Sequence, residues 1–348
     1  MSEVIQTLAF DFDGDGIGVS DLKSEISELS KPQINVGLFK MMTGNDWIEQ
    51  AKNRPIPKML FSQFWHEGEL CILFADTNLG KSILAVQIGD AISKGVSIQN
   101  FILEAEKQTV LYYDFELSDK QFENRYSEDY TNHYRFNDNF IRIELDPDAS
   151  ILENQTFESY LYQSLEQSII ESGAKILIID NITYLKSATE TAKDALPLMK
   201  ELKSLKSKYE LSILALAHTP KRNLSMPITR NDLQGSKMII NFCDSSFTIG
   251  ESHSDKSVRY LKQIKQRNTE QIFDSENVIT CQIGKVNSFL GFEFINYGSE
   301  TEHLKQRSDS DKADLETKVF ELKKQGKSLR DIGVELGISH MKVSRILK

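Results

Sequence analysis

The residues Ala75-Asp76-Thr77-Asn78-Leu79-Gly80-Lys81-Ser82 have the types and spacing of a loop that grips a polyphosphate. In such a loop the backbone amides face anionic oxygens and Lys81 neutralises the β and γ phosphates. The Ser82 hydroxyl ligates magnesium, so a magnesium-bound nucleoside triphosphate is the expected ligand. The first position of the pattern is Ala75 where glycine is usual, and Asp76 is an odd neighbour for phosphate that must point away from it or weaken affinity.

The context is what lends the motif weight. An apolar run, Glu69 to Phe74, precedes the loop, and an amphipathic stretch, Ser82 to Gly95, follows it. Three further runs, Thr109 to Asp114, Lys175 to Asp180 and Leu211 to Ala217, are also short, continuous and apolar. That pattern predicts strands buried on both faces, as in a parallel sheet covered by helices. Helical periodicity over Gln155 to Ser172 and Ala192 to Tyr209 supplies the cover, and the alternation predicts an α/β domain. Carboxylates stand at the strand ends where a phosphate site needs them. Asp180 is placed to hold the water ligands of magnesium, and Glu116 to orient and deprotonate an attacking water, with Asp114 as the competing candidate.

The order of these pieces, followed by Ala217-His218-Thr219-Pro220-Lys221, Gln234-Gly235-Ser236 and Lys262-Gln263-Ile264-Lys265-Gln266-Arg267-Asn268, resembles the RecA-like hexameric ATPases. The likeness is strongest to the RepA type of plasmid replicative helicase, with relatives in the DnaB and KaiC groups, and covers about two-thirds of the chain. It implies a RecA-like P-loop core with a mainly parallel sheet, ATP and Mg2+ as ligands, and a ring assembly. It further implies that His218 senses the γ-phosphate, and that Lys265 and Arg267, alternating on one strand, reach the neighbouring subunit's nucleotide. The segment between His218 and Gly235 would line a pore in which Lys221, Arg222 and Arg230 contact the phosphates of single-stranded DNA. The functional expectation is an ATP-hydrolysing DNA motor. The alternative is a DNA-binding regulator, or a recombination, mobilisation or defence accessory ATPase, that uses ATP without unwinding.

Outside the core, residues 1–55 read as an extension ending at Arg54-Pro55-Ile56-Pro57, the ATPase domain spans 56–298, a polar linker 299–313, and a helical tail 314–348. Asp11-Phe12-Asp13-Gly14-Asp15-Gly16 opens like a calcium loop, but its twelfth position is Leu22, which predicts a solvated acidic turn. In the tail, capping residues Ser328 and Ser339 flank a Gly337 turn, a layout resembling a resolvase-type helix-turn-helix. Its last helix would offer His340, Lys342, Ser344, Arg345 and Lys348 to duplex DNA while Ile338, Val343, Ile346 and Leu347 pack inward.

A formal net charge of −10 argues against coating nucleic acid by bulk electrostatics, which places any DNA contact on local basic clusters. Cys71, Cys243 and Cys281 are odd in number and widely spaced, as expected of core thiols rather than a disulfide or zinc framework. No run approaches the roughly 18 apolar residues of a membrane span, and the N-terminus lacks a signal-peptide layout, so the expected location is cytoplasmic with no membrane partner.

Overall fold

A computed structural model describes residues 34–151, 155–185, 192–220, 222–233, 236–305 and 309–347. The acidic turn at residues 11–16, Lys221, the Gln234-Gly235 pair and Lys348 lie outside them. Two compact units result, one ending at Ile56 and the other beginning at Pro57. In the first, strands β1 (Ile34–Val36) and β2 (Phe39–Met41) form a hairpin ahead of helix α1 (Gly44–Lys52). Thr43 caps that helix reciprocally with Asp46.

The second unit is built on a nine-stranded sheet. The short hairpin of β3 (Met59–Phe61) and β4 (Trp65–His66) precedes its central strand β5 (Leu70–Ala75). Then come α2 (Lys81–Lys94), β6 (Val110–Asp114), α3 (Asp119–Arg125), a small hairpin of β7 (Ser127–Glu128) and β8 (Asn132–His133), and β9 (Phe140–Ile143). Helix α4 (Phe157–Ser172), β10 (Ile176–Asp180), α5 (Ala192–Tyr209), β11 (Ser212–His218) and α6 (Ser236–Phe242) follow. The sheet is completed by β12 (Ser245–Glu251), β13 (Val258–Lys265), β14 (Val278–Val286) and β15 (Phe289–Gly298).

Strands β9, β6, β10, β11, β5 and β12 run parallel in that spatial order, and β13, β14 and β15 continue the sheet antiparallel. The parallel strands read as unbroken apolar runs because both faces are covered. Cys71 and Leu73 of β5, Tyr112 of β6 and Ile178 of β10 pack with Leu84, Ile88 and Ile92 of α2. Their neighbours Ile72, Leu111 and Leu177 point the other way, into a core with Leu165 of α4 and Leu202 of α5. All three cysteines are free and buried.

The fold is thus the expected α/β architecture on a mainly parallel sheet, with a helical C-terminal region. That region comprises α7 (Asp309–Lys324), α8 (Leu329–Glu335) and α9 (His340–Ile346), packed around the buried side chains of Val319, Ile332 and Val343. Ser328 and Ser339 cap α8 and α9, each hydroxyl accepting an amide hydrogen bond of 3.2 Å. The stretch 299–313, polar enough to read as a linker, is structured in part. Glu300–His303 forms a 3-10 turn in which Glu300 and His303 are buried, and α7 begins at Asp309. Among the described residues no helix is long and apolar enough to cross a membrane.

Candidate active site

The parallel strands deliver their C-terminal ends to one edge of the sheet, and the chemically distinctive residues collect there. Strand β5 stops at Ala75, the chain turns through Asn78 at φ 63°, and Gly80 at φ 95° opens α2. Gly80 is required twice over. Its backbone is left-handed, and a Cβ there would lie 2.7 Å from Ile283 Cδ1 and 2.9 Å from the Phe292 ring. Ala75, by contrast, is the last residue of an extended strand, aligned with His218 of β11, so the site makes no demand for glycine at that position. Asp76 turns its carboxylate back on the loop, accepting the Thr77 amide at 2.7 Å.

Lys81, at the start of α2, is buried. Its ammonium donates to the carbonyls of Ala75 and Asp76, both at 3.1 Å, and reaches His218 Nδ1 at 3.3 Å. Burial pulls its pKa below the usual lysine value, and Asp180, Glu116 and Asp76 oppose that shift. The neighbouring Ser82 hydroxyl bonds to Asp180. Asp180 also accepts from the Tyr112 hydroxyl at 2.7 Å and is 1% exposed. Burial raises its pKa to about 6, against the pull of the Ser82 and Tyr112 hydrogen bonds.

Glu116 lies just beyond β6, half-exposed, with the Asn181 amide donating to its Oε1 and His218 Nε2 at 3.6 Å. The His218 ring holds its carboxyl below the usual glutamate range, helped by Lys81 and Asn181. One imidazole proton cannot serve every contact around His218. Lys81 faces Nδ1 at 3.3 Å and the Asn181 amide faces Nε2 at 2.9 Å, both as donors, whereas a neutral imidazole has one nitrogen free to accept. Asn181 is oriented by Thr183, whose amide donates to its Oδ1 at 2.8 Å. Lys81, His218, Asn181 and Glu116 thus form a contiguous polar chain beside Asp180 and Ser82. A carboxylate kept ionised and oriented in this way is equipped to accept a proton.

Asp114, the rival carboxylate, is committed elsewhere. Arg142 of β9 donates to its Oδ2 at 2.9 Å, while the amides of Glu116 and Leu117 donate to its Oδ1 at 3.2 and 3.0 Å. Its side chain is wholly buried. It anchors the turn that presents Glu116.

The remaining candidates lie elsewhere. Lys265 is the last residue of β13 and Arg267 falls beyond it, so the two do not alternate within one strand. Lys265 donates to the carbonyls of Ile240 and Cys243 at the end of α6, at 2.5 and 2.7 Å, and Arg267 pairs with Asp244 at 3.0 Å. Arg222 donates to the Met226 carbonyl at 2.8 Å, and Arg230 opens an exposed 3-10 turn. On α9, His340 and Arg345 are exposed and Lys342 and Ser344 half-buried. Asn181, Tyr112 and Arg142 are the site residues missed by sequence reasoning. Asn181 was signalled by its place after Asp180, whereas the roles of Tyr112 and Arg142 depend on pairing between β6, β9 and β10.

A P-loop between the central strand and its helix, with serine and buried aspartate side by side, defines a P-loop ATPase. The AAA domain family matches residues 39–223, more than half of the chain, and the chain belongs to that family. No curated protein matches it. Among solved structures, the chain is similar to a KaiC-like protein from the hyperthermophilic archaeon Pyrococcus horikoshii, at 13% identity and a TM-score of 0.42. That match covers 66% of this chain and 91% of the other.

Proposed function

We propose that the protein is an assembling ATPase of the replicative-helicase type, which hydrolyses ATP between subunits and couples turnover to single-stranded DNA. The observation that carries the reading is the polar chain from Lys81 through His218 and Asn181 to Glu116. It ties the phosphate-binding lysine to a candidate general base and to the strand leading into the loop that follows His218. The residues present fit MgATP. The loop is closed to any side chain at Gly80, Lys81 supplies a buried positive charge, and Ser82 with Asp180 supplies two oxygen donors. Magnesium, when bound, neutralises phosphate charge. Glu116 accepts the proton of the attacking water at its carboxylate, the nearby His218 ring keeps that carboxylate charged, and Asp114 with Arg142 fixes the turn that aims it. In this reading Lys221, Arg222 and Arg230 contact single-stranded DNA in the pore of a hexamer. The helix-turn-helix of α8 and α9, with His340, Lys342, Ser344, Arg345 and Lys348, meets duplex.

One observation favours the second reading, a DNA-binding regulator that uses ATP as an assembly switch. Lys265 and Arg267 are both engaged within their own chain, so serving a neighbour's nucleotide would require breaking the contacts with α6 and Asp244. Hydrolysis measured at several protein concentrations, with no DNA, single strands or duplex, separates the two. Turnover that rises with assembly and with single strands supports the motor. Turnover indifferent to both removes Lys265 and Arg267 as fingers and leaves the switch.

A further inference from the structure

The loop that follows His218 is tied down at its far side by a buried ion pair. Glu300, fully buried, accepts the Ile228 amide at 2.7 Å and the Tyr260 hydroxyl at 3.2 Å through Oε1, and Lys262 at 2.5 Å through Oε2. Lys262 is also buried and donates to the Ile228 carbonyl at 2.8 Å, so both backbone groups of Ile228 are held by the pair. The Ile228 side chain is 3% exposed and plugs the same spot. Beyond Glu300, the Lys305 amide donates to the Leu224 carbonyl at 3.1 Å, and His303 stacks on Tyr260 with centroids 5.2 Å apart. The segment 299–305 that makes these contacts leads into α7.

At its near side the same loop borders the nucleotide site. The Thr219 amide donates to the Ala75 carbonyl at 3.1 Å, the carbonyl that also receives Lys81. A cavity of about 250 Å3 separates Asp76 to Leu79 of the P-loop from Arg222, Leu224 and Ile228. The cavity leaves room beside the loop on the P-loop side, while on the other side Ile228 is held by Glu300 and Lys262. Two buried charges are costly to hold in place unless their geometry is satisfied, and here every carboxylate and ammonium partner is a loop or strand group that must stay in register.

We propose that Glu300 and Lys262 are positioning residues, a clamp that joins the loop after His218 to the root of the C-terminal helices, so that nucleotide state and DNA contact by the tail are coupled through this pair. The inference rests on the ATPase reading above, since it needs nucleotide to bind beside Lys81.

The test is amide hydrogen exchange on the full chain, with and without MgAMP-PNP, alongside DNA-stimulated and basal hydrolysis. In the wild type, nucleotide is expected to change exchange in 222–233 and 299–305 together. The double variant Glu300→Leu with Lys262→Met leaves no uncompensated buried charge. It should keep the response in 222–233, lose that in 299–305, keep basal turnover, and lose about 2- to 30-fold in DNA stimulation. If the double variant does not fold, Tyr260→Phe, which deletes only one hydroxyl, decides by the same two readouts. A nucleotide response confined to 222–233 in the wild type, or a folded variant that retains both responses and full DNA stimulation, overturns the clamp. Failure of MgAMP-PNP to bind at all overturns the ATPase reading instead, and this inference with it.

Discussion

Replacing Arg142 by methionine probes why Glu116, and not Asp114, is the carboxylate available for chemistry. Methionine preserves the apolar stem packed near Phe122, over which the guanidinium lies at 4.6 Å. It removes the 2.9 Å bond to Asp114 and the 2.7 Å bond to the Leu117 carbonyl. Asp114, whose side chain has no exposure, is left with only the amides of Glu116 and Leu117. Breaking one member of a buried pair costs about 3–5 kcal/mol, because the other charge remains desolvated. Urea unfolding at neutral pH should show a loss of that size for Arg142→Met, with most of it recovered in the double variant Arg142→Met, Asp114→Asn. Turnover should also fall, since the turn presenting Glu116 is anchored on Asp114. A stability loss under about 1 kcal/mol, the level of an exposed pair, would mean that Asp114 is not so held and competes with Glu116 as the base.

Other expectations bear on separate parts of the site. Gly80→Ala places a Cβ 2.7 Å from Ile283 in left-handed backbone; about 1–2 kcal/mol of conformational cost adds to about 1–3 kcal/mol of overpacking, read by denaturant midpoint, with nucleotide affinity lost in parallel. Asp180 has a folded pKa of about 6, raised from 3.8, so its contribution to stability is present below the lower value and is lost as pH rises through the upper one. Metal binding needs the opposite charge state, so magnesium-dependent nucleotide affinity should fall as pH drops through about 6. Asp180→Asn should therefore be at least as stable as wild type at pH 7 in thermal unfolding, yet lose magnesium-dependent turnover. Ser339→Ala removes the cap of α9 and should cost the C-terminal helices about 1 kcal/mol by circular dichroism melting, and Arg345→Ala should weaken duplex binding and reduce its salt dependence.

The sequence exposed the parallel sheet because strands such as Ile176–Asp180 are buried on both faces and have no polar interruption. It exposed the P-loop because Gly80 and Lys81 are chemical requirements rather than preferences. What it hid depends on tertiary pairing. Asp114 and Glu116 both stand at a strand end, and only the neighbouring strand β9, bringing Arg142 opposite Tyr112, commits Asp114 to structure. Lys265 and Arg267 look like free cations in sequence, yet α6 and Asp244 occupy them. Glu300 sits in a stretch polar enough to read as a linker, and its burial follows from Lys262 and Ile228, far away in the chain.

The most direct test of the central claim is ATP hydrolysis by Glu116→Gln, with MgATP binding measured on the same preparation. The amide keeps the contacts with Asn181 and His218 in reach but cannot take a proton. Binding unchanged with turnover reduced by about 10²–10⁴-fold is the expected result. Full hydrolysis by this variant would contradict the assignment of Glu116 as the base and, with it, the account of how the strand ends build the site.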